Sequence, residues 1–252
     1  MSWRYHGVRR ARRIVRPQGA NLTTSRSRLA TLAGRGITPS VAHGCLGLLY
    51  LAHGDLEPAI GVLEQGRALC QTSGNQDFLR MIVASLGYVA ALQGRLAEGR
   101  TLLEEALSAS LRTGARQRPL WVAWLSEVCR LTGRGEEAWE HARQTLDLAR
   151  QHKERANEAL ALHQLGVVHA HVDPPDVAQA EAHYQQAFAL AEALGMRPLV
   201  AHCHRGLGTL YAMTGQAEQA RTALSTAIAM YQSMEMTFWL PQTETALAQM
   251  DT

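Results

Sequence analysis

Lysine is almost missing from this chain: Lys153 is the single one among 25 basic residues in 252. Its surroundings, QHKER, form no GxxxxGK[ST] loop, so phosphate-loop nucleotide hydrolysis is excluded. Cysteine is sparse as well. Cys45, Cys70, Cys129 and Cys203 are scattered without a CxxC pair, which argues against a disulfide framework and for buried thiols in a reducing compartment. No apolar run reaches the roughly 18 residues of a membrane span, so no span is expected and the placement expected is cytoplasmic. Aromatic residues make up only 6% of the chain. No nucleophile elbow and no Ser/His/Asp order occurs, and paired carboxylates appear only in solvent-facing runs such as Glu104-Glu105 and Glu136-Glu137. The expectation is a protein that is not an enzyme and holds no cofactor.

What the chain has in quantity is a repeat. Gly47, Gly87, Ser126, Gly166 and Gly208 recur at intervals of 39 to 42 residues. Twelve positions after each anchor comes another small residue: Ala59, Gly99, Ala138, then Ala180 after a two-residue insertion, and Ala220. Four and seven further on stand Leu63 and Gly66, Leu103 and Ala106, Ala142 and Thr145, Tyr184 and Ala187, Leu224 and Ala227. Small residues at fixed intervals with apolar ones at i+4 and i+7 are what two closely packed antiparallel helices require. One such pair leaves an apolar face uncovered, and the next pair buries it. Gly54, Gly94, Gly133 and Gly215, each seven residues after its anchor, are placed to end a first helix in the left-handed conformation. The fourth unit has Asp173-Pro174-Pro175-Asp176 instead, with Asp176 placed to cap the following helix.

LGLLYLAHGDLEPAIGVLEQGRAL, LGYVAALQGRLAEGRTLLEEAL and LGTLYAMTGQAEQARTALSTAI resemble tetratricopeptide repeats. The resemblance implies an all-α fold: a right-handed α-solenoid of about five helix-turn-helix repeats, at about 40–79, 80–118, 119–158, 159–200 and 201–240, closed by a C-terminal capping helix at 241–250. Segments such as WVAWLSEVCRLTGR and MYQSMEMTFWLPQTETALAQM also resemble the C-terminal repeats of bacterial multidomain signalling proteins that carry nucleotide-cyclase-like and AAA-type ATPase domains. Neither of those domains is present in residues 1–252. What this implies is the partner-sensing part of such an architecture.

Charge is divided unevenly. Residues 1–40 hold nine arginines and no acid, whereas residues 41–252 hold 16 basic and 22 acidic residues. Residues 1–21 read as a basic, disordered tail, and 22–40 as a short capping helix, about Leu22 to Ala33, with a linker. The alternative for the tail is nucleic-acid contact through Arg9, Arg10, Arg12, Arg13 and Arg16. At the other end, Pro241 opens the capping helix, with Gln242, Glu244 and Gln249 supplying a polar outer face.

By family analogy the first helix of each pair lines an inner face. The groove residues expected there are Leu48, Leu51, Met81 and Tyr88, which are mostly apolar, followed by Glu127, Arg130, His163, His202 and Arg205. Such a face suits a protein or peptide partner with an apolar stretch and an acidic portion, the latter meeting Arg130 and Arg205. His169-x-His171 and His202-x-His204 do not converge from one helix face, so no metal site is expected. The function expected is a non-catalytic interaction scaffold in signalling or transcriptional regulation. The alternatives are a nucleic-acid-associated adaptor acting through the tail, and a structural remnant of a larger cyclase/ATPase-type protein. The oligomeric state is left open.

Overall fold

The structure, a computed structural model, describes residues 38–112 and 119–250. Among them are eleven α-helices and no strand. The basic tail and the helix expected near Leu22 lie outside the described residues. The chain divides into two compact units, residues 1–116 and 117–252.

The first unit holds two helical hairpins, α1 (Pro39–His53) with α2 (Leu56–Ser73) and α3 (Gln76–Leu92) with α4 (Leu96–Arg112). The second holds three, α5 (Pro119–Leu131) with α6 (Gly135–Gln151), α7 (Arg155–His171) with α8 (Val177–Ala193) and α9 (Arg197–Met213) with α10 (Ala217–Ser233). It ends in α11 (Leu240–Ala248). Within each unit every helix packs on the next, and first helices also pack on first helices: α1 on α3, α5 on α7, α7 on α9. This is an all-α helical repeat.

The small anchors sit where paired helices approach. A methyl on Gly87 would lie 2.9 Å from the Gly99 carbonyl oxygen, and one on Gly47 or Gly208 would collide with Leu63 or Leu224. In the fourth unit the bulkier Tyr184 replaces that leucine, and its ring takes the space beside both Gly166 and Gly206. Ser126, the one anchor that is not glycine, uses its extra atom: Oγ donates to the Ala138 carbonyl at 2.6 Å, across the α5–α6 pair and out of water. Ser126→Ala is expected to cost about 1 kcal/mol in urea unfolding, the usual net worth of one such bond.

The turns follow from backbone conformation. Gly54, Gly94, Gly133 and Gly215 all have positive φ, as do Gly74 and Gly195 between hairpins. At each of the first four the next amide reaches back to close the helix, as Asp55 N–H does to the Tyr50 carbonyl at 3.0 Å. Lys153 (φ 55°) and Glu235 (φ 58°) hold the same left-handed conformation between hairpins without being glycine. Lys153→Gly is therefore expected to stabilise by about 0.5–1 kcal/mol in the same assay. Asp176 caps α8, its Oδ1 accepting from Gln179 N–H at 3.1 Å. The last helix packs on α10 with Thr243 buried, while Gln242, Glu244 and Gln249 face water.

Candidate functional site

The nine residues expected on the inner face fall into two groups, one in each unit. In the first unit, Leu48, Met81 and Tyr88 are partly exposed on α1 and α3. Leu51 is different. It is 4% exposed, so it packs inward and presents no surface to a partner. Met81 lies over Gly44 of α1, whose missing side chain leaves room for the methionine tip.

In the second unit the first helices α5, α7 and α9 bring polar groups together. His163 of α7 is 8% exposed. Its ring lies 5.6 Å from that of Tyr184 on α8 and 6.1 Å from that of His202 on α9. His202 continues the series. Its Nδ1 is 2.7 Å from the Tyr231 hydroxyl of α10, and its ring meets Trp239 edge-on at 4.8 Å. Arg205, one turn along α9, donates to the Gln242 amide oxygen at 3.3 Å. Arg130 on α5 has a buried Nε with no hydrogen-bond partner, and neither arginine is ion-paired among the described residues. Glu127, one turn earlier, accepts from Gln164 Nε2 at 3.5 Å, leaving the buried Gln164 Oε1 without a partner. Among the described residues, neither guanidinium has a carboxylate partner.

The electrostatics follow from burial. Removal from water, then the Arg205 charge, holds the His163 pKa down at about 4, with Arg130 acting in the same direction and the His202 main chain opposing. His202 is held well below the ordinary value by burial, Arg205 and His163. Both rings are neutral near pH 7. Burial pushes the Tyr184 and Tyr231 hydroxyls up, so they too stay uncharged.

Sequence reasoning does not connect Tyr184, Tyr231, Gln164 and Gln242 to these groups, although the two tyrosines are buried behind them. Tyr184 and Tyr231 stand on second helices, which register counting along first helices leaves out, and Gln242 comes from α11. Trp239, just before the last helix, packs against His202, Tyr231 and Phe238. A separate open hollow of about 380 Å³ between α9 and α10 is lined by His204, Leu207, Tyr211 and Ala223, among others, and by none of the groups above. Among the described residues no three of His, Cys, Asp and Glu converge as metal ligands, and no helix is long and apolar enough to cross a membrane. All four cysteines are buried as free thiols.

A family model described as the tetratricopeptide repeat matches residues 176–233, which span α8, α9 and α10. Residues 176–233 carry tetratricopeptide repeats. Solved repeat structures agree in fold. A Rap protein complexed with the competence and sporulation factor superposes with a TM-score of 0.67 at 16% identity, covering 91% of this chain and 66% of that one. BtubC from P. vanneervenii gives 0.56 at 19% identity, covering 87% of this chain and 92% of that one. A signal transduction ATPase with numerous domains and a tetratricopeptide repeat sensor, from Pyrococcus horikoshii, gives 0.57 at 16% identity. That match covers 84% of this chain and 32% of the ATPase. No curated protein matches the chain. Tetratricopeptide repeats are interaction scaffolds, and no catalytic domain accompanies them in the described residues.

Proposed function

We propose that the chain is a docking scaffold of a signalling or transcriptional assembly, and that the α5–α7–α9 face of its second unit receives a segment of a partner protein. The observation that carries this reading is the pair Arg130 and Arg205, two partly exposed cations on first helices of the second unit, without carboxylate partners among the described residues. A fold held together by small anchors and buried leucines gains nothing from leaving guanidiniums uncompensated there, whereas a partner's acidic group satisfies them. Leu48, Met81 and Tyr88 provide a separate apolar contact on the first unit. The likeness to a repeat sensor in a signalling ATPase and to the factor-bound Rap protein supports a signalling setting.

Phage display of random peptides against the full chain, followed by titration of the selected sequences, tests the reading. The expected outcome is acidic sequences whose affinity drops at least about tenfold in Arg130→Ala/Arg205→Ala, each charge-assisted bond being worth about 1.5–3 kcal/mol. Undiminished affinity in a double variant that retains its helical circular dichroism would place docking elsewhere.

A further inference from the structure

His163 and His202 lie against two phenols, Tyr184 and Tyr231, with the charge of Arg205 acting on both rings and that of Arg130 on His163, an arrangement with no evident use in holding the repeats together. Leucine at either position would pack on the same neighbours without a buried polar ring to satisfy. The groups that face the pair are Glu127 and Arg130 from α5, His171 on α7, Tyr184 from α8, Cys203 and Arg205 on α9, and Tyr231 from α10. Glu127 is engaged with Gln164, and burial pushes the Cys203 thiol up to about 12, so it is uncharged. Burial is the larger cause of the low values, and the charges that add to it are those of Arg205 on both rings and of Arg130 on His163.

We infer that this face takes a partner carboxylate and a proton together: the carboxylate seats on Arg130 and Arg205, and the histidine pair beside them takes up the proton. This rests on the docking reading above and adds to it the partner's chemistry and a control by pH. A carboxylate arriving beside the arginines offsets the positive charges that add to burial in keeping His163 and His202 neutral, and it offers the new imidazolium an acceptor. An anion within about 4–6 Å moves a histidine up by roughly 1–3 pH units. On filling, His163 therefore titrates above the value of about 4 that it has when the site is empty. By linkage, affinity rises as pH falls from 7.5 to 5.5, by about fourfold for a rise of about two pH units. An arginine–carboxylate contact without the histidines has the opposite tendency: flat over this range, then weaker as the carboxylate protonates near pH 4.

The probe is a fluorescein-labelled decapeptide of alternating leucine and glutamate, beside the same peptide with every glutamate made glutamine and its C-terminus amidated. Both are titrated against the full chain by anisotropy at pH 7.5, 6.5 and 5.5. Calorimetry of the glutamate peptide at pH 6, in two buffers of different ionisation enthalpy, counts the protons taken up. The expected result is tighter binding of the glutamate peptide at pH 5.5, net proton uptake, no binding of the glutamine peptide, and a flat profile in His163→Gln or His202→Gln. Arginine-dependent binding that is flat or weaker at low pH, without proton uptake, overturns the coupling and leaves docking intact. Binding of neither peptide by the folded wild-type chain overturns the carboxylate assignment, and phage display then decides whether docking survives. If a histidine variant does not fold, proton counting on the wild-type chain still separates coupled from uncoupled binding.

Discussion

Gly99→Val should melt the α3–α4 hairpin and with it the first unit, at a cost of about 4 kcal/mol or more. A methyl at position 99 would already stand 2.6 Å from the Gly87 carbonyl oxygen and 2.9 Å from both the main-chain nitrogen and the methyl of Ala91. None of these atoms can rotate away. Relief would require the two helices to part, which unpacks Leu103 and Ile82 from the interior. Gly99→Ala is expected to lie between, at about 2 kcal/mol. Gly61 supplies the control, because it is also helical but has nothing within 4 Å of an added Cβ. There the intrinsic preference of alanine for helix operates alone, and Gly61→Ala should stabilise by about 1 kcal/mol. Urea unfolding followed by circular dichroism separates the cases. Because repeat arrays lose structure in parts, the valine variant should show an early separate transition instead of a uniform shift. A single wild-type-like transition for Gly99→Val would mean that the hairpin does not hold this close approach.

The second large effect is acid sensitivity. His163 titrates at about 4 in the folded chain and near 6.5 when unfolded. The unfolded chain thus binds the extra proton between these values, and stability falls as pH is lowered through that window; above pH 6.5 the histidine makes no difference. For His163 alone the loss from pH 7.5 to pH 5 is about 2 kcal/mol. His202, also held low, acts in the same direction. The measurement is the urea midpoint at both pH values, for the wild type and for His163→Gln. Glutamine cannot titrate, so the midpoint of that variant should depend less on pH. Equal pH dependence in the two proteins would show that His163 is not held neutral by burial. The sign is opposite to that proposed above for partner binding.

The repeat was legible because close helix packing writes itself into sequence at fixed intervals. Five small anchors, the positions twelve and sixteen after them (fourteen and eighteen in the fourth unit), and the turn glycines each correspond to one physical demand: room for a backbone, a buried apolar side chain, or a left-handed φ. The departures had reasons that only coordinates reveal. Ser126 spends its hydroxyl on Ala138, and Lys153 and Glu235 hold a glycine conformation. The candidate site was half legible. First-helix register pointed to Arg130, His163, His202 and Arg205, but it also pointed to Leu51, which is buried, and it passed over Tyr231, which comes to His202 from a second helix.

Local information, namely periodicity, turn residues, the lone lysine and the division of charge, was therefore enough to determine an all-helical repeat without a nucleotide loop. Which cations lack partners, which imidazoles lie out of water, and that Tyr231 and Trp239 close on His202 were decided by tertiary structure alone. Residues far apart in the chain meet there, and desolvation and charge act through space, where sequence spacing carries no record of the distance.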